Sequence, residues 1–191
     1  MMYLAKFIGI FLIGFSISSC SSVQPTQPAL AKDEVAKDKV AKNKVAKDKV
    51  VKDKYETYIS AGQAMPLSAV TDIEGKEIQL DTIGEKKLVV LFATWCSDSQ
   101  RAMKALNQSE FLSQEGLTIV AIGREQKVEE IKKWQDEQKI RFSLAADPDR
   151  SIYSQFAAAG IPRLIMVDEN NRIHKMVLAE DQTPLDHISW K

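Results

Sequence analysis

Residues 56–191 predict an α/β sandwich built on a central mixed sheet, and three observations carry that reading. Residues 87–95 (KLVVLFATW) and 117–123 (LTIVAIG) are continuous apolar runs of strand length. They lack the alternation of half-exposed strands, so they read as strands buried on both faces. Segments with apolar residues at helical spacing follow these runs, which is the pattern of strand–helix–strand crossovers. A strand pair with turn residues stands at each end of the region. The predicted order is ββ-β-α-β-α-β-α-β-β.

The elements follow one by one from the residues. Segments 67–71 and 77–80 flank a turn containing Glu74 and Gly75, which predicts a hairpin. Residues 87–95 supply the central strand. Residues 97–112 carry Ala102, Met103, Leu106 and Phe111 at helical spacing and predict a helix. The strand at 117–123 is followed by a helix at 127–138, with Val128, Ile131 and Trp134 on one stripe. Residues 140–145 predict a short strand. Residues 149–158 predict a third helix that turns Ile152, Tyr153 and Phe156 inward. Strands at 163–168 and 172–178 flank Glu169-Asn170-Asn171, a hairpin turn signal.

Residues ahead of this domain have a different character. Lys6 precedes an apolar run of 11 residues, Phe7 to Ile17, too short for a transmembrane span of about 20 residues. It has the form of the h-region of a secretory signal. The run ends in Ile17-Ser18-Ser19-Cys20, which resembles the bacterial lipobox. That resemblance implies cleavage before Cys20 and lipid on its thiol, leaving residues 1–19 as signal peptide; a plain signal peptide with a chance cysteine is the alternative. Residue 21 is serine, not the aspartate that usually retains proteobacterial lipoproteins in the inner membrane, so outer-membrane sorting is expected. The expected location is the bacterial envelope, facing the periplasm.

Residues 20–55 read as a tether. Four pentapeptides, VAKDK, VAKNK, VAKDK and VVKDK, place valines at 35, 40, 45 and 50. Five helical residues advance about 500°, so no single apolar face forms. An odd period also alternates the valines between strand faces. Residues 32–54 hold nine Lys against four Asp and one Glu, a net +4, while residues 55–191 carry −5. Such a basic tether either lies along an anionic membrane surface or simply keeps the spacer soluble.

The whole chain has 26 basic and 26 acidic residues, which argues against a uniformly basic nucleic-acid binder. Two cysteines exclude a disulfide scaffold and a four-cysteine metal site, and two histidines leave little for a histidine-rich one. No cofactor and no metal are implied.

Chemistry concentrates at Ala93-Thr94-Trp95-Cys96-Ser97-Asp98-Ser99-Gln100, where the central strand gives way to a helix. Free N–H groups and the dipole at a helix start favour a thiolate. Much later, Gly160-Ile161-Pro162-Arg163 precedes another strand. Trp95-Cys96 after an apolar strand, with Gly-Ile-Pro before the last hairpin, resembles the thioredoxin superfamily. More narrowly it resembles the TlpA-like, or redoxin-domain, branch, over about residues 64–180. The resemblance implies a thioredoxin-like sandwich with an N-terminal hairpin. It implies that Pro162 is cis and faces Cys96, and that Ile161 offers backbone hydrogen bonds to a substrate strand. It places Trp95 at the rim of the site, against the bland reading of a core tryptophan. Arg163 is expected near the sulfur as a group that draws acidic substrates, against the reading of a surface charge.

The sequence departs from that family at Ser99. The usual second cysteine, which resolves a mixed disulfide, is absent. Val90 stands where the family often buries an acid beneath the sulfur, and Ala93 stands where peroxiredoxins carry threonine. Two functions therefore stay open. In the first, Cys96 is a monothiol that forms mixed disulfides with protein or small-molecule thiols, with Ser99 donating a hydrogen bond to its sulfur. In the second, the groove beside Pro162 is a non-catalytic binding module.

Overall fold

The computed structural model describes residues 55–191. The signal-peptide, lipidation and tether readings, Cys20 among them, lie outside the described residues.

Five strands form one sheet in the order β5-β4-β3-β6-β7. Central β3 (Lys86–Phe92) pairs parallel with β4 (Leu117–Arg124), which pairs parallel with β5 (Ser143–Asp147). On its other side β3 pairs antiparallel with β6 (Arg163–Val167), and β6 with β7 (Ile173–Leu178). A separate two-stranded sheet joins β1 (Ala69–Thr71) to β2 (Glu77–Gln79). Its turn is made by Asp72, whose carboxylate accepts the N–H groups of Glu74 and Lys76 at 2.9 Å each. The continuous apolar run predicted a doubly buried central strand, and Leu88 through Phe92 are wholly inaccessible.

Alternation along the strands separates two cores. Leu88, Val90, Phe92, Ala121, Leu164 and Met166 face Met103 and Leu106 of α1 (Ser97–Asn107) and Ile131 and Trp134 of α2 (Val128–Gln138). Trp134 meets the Phe92 ring at 5.5 Å between centroids. Gly123 ends the sheet-facing run of β4 because a Cβ there would stand 2.4 Å from Ile131 Cδ1. On the opposite face Val89, Leu91, Val120, Ile122, Ile165 and Val167 pack with Leu67, Val70, Ile78, Leu80, Tyr153 and Phe156. Both α-helices thus cover one face, and the N-terminal segment with its hairpin covers the other. Tyr58 N–H donates to the Phe156 carbonyl at 2.8 Å, and Ile73 N–H to the Leu144 carbonyl at 2.8 Å, which ties that cover down.

The sequence overstates the helices in two places. The one expected at 97–112 stops at Asn107, and a 3₁₀ turn follows at Glu110–Ser113. The third helix, expected at 149–158, is only a 3₁₀ turn at Tyr153–Gln155. Its apolar residues do point inward, with Tyr153 and Phe156 fully buried. A buried carboxylate explains the loss of helix. Asp147 accepts the N–H groups of Ile152 at 3.0 Å and Tyr153 at 2.8 Å, bonds an α-helix would direct to preceding carbonyls. Arg150 between them is left-handed, with φ 64°. The strand expected at 140–145 begins later, at Ser143. Val128, placed on the inner stripe of its helix, is exposed at the first helical position.

The predicted Asn170-Asn171 hairpin turn forms, with Asn171 left-handed at φ 58°. Asn171 does more than turn the chain. Its side chain donates to the Asp81 carbonyl and accepts from the buried Lys87 ammonium, which also donates to the Thr82 carbonyl. Desolvation lowers the pKa of Lys87, and the nearby carboxylates of Glu85, Asp81 and Asp168 oppose it.

At the C-terminal end Arg101 of α1 donates to the Asp181 carbonyl at 2.8 Å, and His187 Nε2 lies 2.5 Å from Asp181 Oδ2. The His187 bond holds the Asp181 carboxyl below its ordinary 3.8. A depressed carboxyl contributes stability that is fully present above its unfolded pKa and is lost as pH falls through the folded one. Urea midpoints measured across that acid range should therefore fall less steeply in Asp181→Asn than in the parent. Parallel acid limbs would show that this pair does not couple to folding.

Candidate active site

Cys96 is the N-cap residue of α1, extended at φ −90° and ψ 122°. Its carbonyl accepts the Gln100 N–H at 2.9 Å, the first bond of the helix, and its N–H donates to Ala93 at 3.2 Å. The side chain makes no cap bond, is half-buried, and packs against the hairpin-side core. Its thiol donates instead to the Ile161 carbonyl, 3.8 Å away. Ile161–Pro162 is cis, as the resemblance implies, and both residues are buried. Gly160 precedes them at φ 91°, a conformation open to glycine, and a Cβ there would stand 2.8 Å from Tyr55 Cδ1. The sheet brings these distant segments together, because β6 lies antiparallel beside β3 with Leu91 opposite Arg163.

Trp95 is 64 % exposed, so it stands at the rim beside Cys96 and the core reading of this residue is excluded. Ser99 is fully buried one turn into α1, and its Oγ accepts the Ala93 N–H at 3.3 Å. Among the described residues its hydrogen bond is to the strand end, not to the Cys96 sulfur as expected. Asp98 is engaged by Arg101 at 2.8 Å. Val90 is buried on the helix-side face of β3, opposite Ala121 and Leu164, so apolar side chains fill that place.

Arg163 differs from its expected role. It is 3 % exposed, and its guanidinium donates to the carbonyls of Ala159 at 2.5 Å, Gly160 at 3.2 Å and Tyr55 at 3.3 Å. It also reaches Thr57 Oγ1 at 3.3 Å and Tyr153 Oη at 3.4 Å. These bonds clasp the incoming segment to the loop before Pro162 and leave no exposed fork for a substrate. Sequence patterning missed this because burial of an arginine is decided by which carbonyls the fold brings around it.

Three groups near the site were not read from the sequence as site residues, Tyr153 being expected only as a core residue. Tyr153 donates to the Gly160 carbonyl at 2.7 Å, and the guanidiniums of Arg124 and Arg150 lie over its ring at 4.9 and 5.0 Å from the centroid. Gln126, just beyond β4, is buried against Thr94. Asp147 shapes the turn that carries Tyr153. Only the spatial adjacency of strand ends signals them.

Comparison with known proteins follows the same lines. "Thiol-disulfide oxidoreductase ResA" of Bacillus anthracis is 23 % identical over 121 residues, spanning 62 % of this chain and 70 % of that protein. The thioredoxin domain of a thiol-disulfide oxidoreductase from Bacteroides vulgatus superposes with a TM-score of 0.54 at 22 % identity, over 62 % of this chain and 88 % of that one. A protein disulfide isomerase candidate from Bacteroides thetaiotaomicron gives 0.64 at 19 % identity, over 70 % and 87 %. These likenesses establish the thioredoxin-like fold. The model of the AhpC/TSA family matches residues 61–176, from the segment before β1 into β7 and across both Cys96 and Pro162. The chain therefore belongs to the AhpC/TSA family.

Proposed function

We propose that this protein is an exported, lipid-anchored thiol–disulfide oxidoreductase that works as a monothiol through Cys96. The observation that carries the reading is the half-buried Cys96 thiol at the start of α1, directed at the Ile161 carbonyl and flanked by exposed Trp95. The activity named for the ResA relatives supports it. The Cys96 thiolate attacks one sulfur of a substrate disulfide. A Cys96–substrate disulfide forms, and the other substrate sulfur leaves as a thiolate. An external thiol then attacks the mixed disulfide, takes the substrate sulfur and returns Cys96 as thiolate. Ser99 has no sulfur with which to do this from within.

A chromogenic aromatic disulfide tests the reading in the full chain carrying Cys20→Ser. One equivalent of coloured thiol should be released per chain, and the adduct should persist until a second thiol is added. In Ser99→Cys two equivalents should appear, because the introduced thiol attacks the Cys96 adduct and expels the second reporter. No release from the parent would overturn the oxidoreductase reading. The buried apolar surroundings of Val90 favour a second reading, a binding module in the groove beside Pro162, since no acid assists proton transfer there. That reading expects partner binding to survive Cys96→Ala.

The anchoring part of the proposal rests on Ile17-Ser18-Ser19-Cys20 and the basic repeats. It places the domain on the periplasmic side of an envelope membrane, the outer one by virtue of Ser21, at the end of a tether whose fully extended limit is roughly 120 Å at about 3.3 Å per residue. Labelled palmitate should enter the parent and not Cys20→Ser, and equal labelling would remove Cys20 as the anchor.

A further inference from the structure

We infer that Gln126 is a positioning residue for Cys96, acting through Thr94. The inference rests on Cys96 being the nucleophile. Thr94 lies between the end of β3 and the N-cap of α1. Its N–H donates to Gln126 Oε1 at 2.8 Å, and Gln126 Nε2 donates to its Oγ1 at 2.6 Å. Its carbonyl accepts from Gln100 Nε2 at 2.6 Å. Every hydrogen-bonding group of the residue two before the thiol is thus bonded to a side-chain amide of one of two glutamines.

The chemistry of the pair is specific. A neutral amide presents an acceptor and a donor side by side, which an N–H and a hydroxyl oxygen require together. Gln126 is 5 % exposed, so these bonds are shielded from competing water. The fold sets the distance: Phe92 and Gly123 are opposite in the parallel β3–β4 register, and β3 ends at Phe92 and β4 one residue later, at Arg124, at the same end of the sheet. The 3.8 Å thiol contact to Ile161 is too weak to orient Cys96 by itself. The Thr94 clamp connects the thiol instead to two fixed strands. A displacement of about 1 Å at a reacting atom lowers rates by up to about 100-fold.

The test is the rate of reporter-thiol release from the full chain carrying Cys20→Ser, compared with Thr94→Val, Thr94→Ser, Gln126→Leu and the Thr94→Val/Gln126→Leu pair. Each of the two apolar variants should slow release about tenfold. Thr94→Ser, which keeps the hydroxyl, should stay within about twofold of the parent. The double variant should be no slower than the slower single, because Gln126→Leu already removes the Oγ1 bond that Thr94→Val removes. Parent-like rates in the folded apolar variants would overturn the inference. So would multiplying effects in the double variant, or loss of rate in Thr94→Ser equal to that in Thr94→Val. Should Gln126→Leu fail to fold, the Thr94→Ser and Thr94→Val comparison decides alone. Failure of the nucleophile reading is seen separately, as no release from the parent.

Discussion

Cys96→Ala should release no thiol from the aromatic disulfide and form no covalent adduct, while its fold changes little. The chemistry explains the first half. A serine or threonine hydroxyl cannot replace a thiolate in disulfide exchange, and Cys96 is the only thiol among the described residues. With Cys20 replaced as well, no sulfur nucleophile is left in the sequence. Local structure explains the second half. The Cys96 side chain makes no cap bond to α1, and its one polar contact is the 3.8 Å approach to Ile161. Alanine keeps the backbone bonds to Ala93 and Gln100. The expected loss of stability is about 1 kcal/mol or less, read from the urea midpoint. Any remaining one-equivalent release would place the reactive group elsewhere. A complete loss of chemistry with partner binding intact would select the binding-module reading.

Arg163→Ala should be strongly destabilising at this end of the sheet, by about 2–3 kcal/mol. One guanidinium serves three carbonyls, from Tyr55, Ala159 and Gly160, together with two hydroxyl oxygens. Removing it takes the donor from the Ala159 carbonyl, while the Gly160 carbonyl keeps the Tyr153 hydroxyl. It also frees the segment at 55–57 from the loop that leads into Pro162. Lysine should rescue little, since a single ammonium cannot span acceptors that a planar fork reaches together. A stability near 5–15 kcal/mol is typical for a domain, so this is a large fraction of the whole. Denaturant titration gives the magnitude, and reporter release from the remaining folded fraction gives the role. A variant as stable as the parent, yet slower with acidic disulfides, would restore the substrate-binding role that the sequence suggested.

Much of the architecture was written locally. The runs at 87–95 and 117–123 announced two strands of the sheet, although the first strand ends at Phe92 and the residue that closes its run, Trp95, is exposed. The two hairpins carried their own turn chemistry in Asp72 through Gly75 and in Asp168 through Asn171. Helices α1 and α2 were visible in the spacing of Met103 and Leu106 and of Ile131 and Trp134. The third helix was misread because its apolar spacing was genuine but its backbone N–H groups were already taken by Asp147. Periodicity reports which side chains face inward, and says nothing of a carboxylate just ahead of the segment that competes for its backbone.

By itself the sequence marked the nucleophile of the proposed reaction and what it lacks: Cys96 at a strand–helix junction, with Ser99 where the family resemblance places a second cysteine. Those are properties of adjacent residues on one turn of helix. Tertiary structure alone decided that Arg163 is a buried clasp, that Trp95 is exposed, and that Gln126 holds Thr94. The Gln126–Thr94 pair joins segments 32 residues apart, and the Arg163 clasp reaches Tyr55, 108 residues away. A long polar side chain has no fixed fate in sequence. Whether it meets solvent, substrate or a buried carbonyl is settled only by the donors and acceptors that the fold places around it.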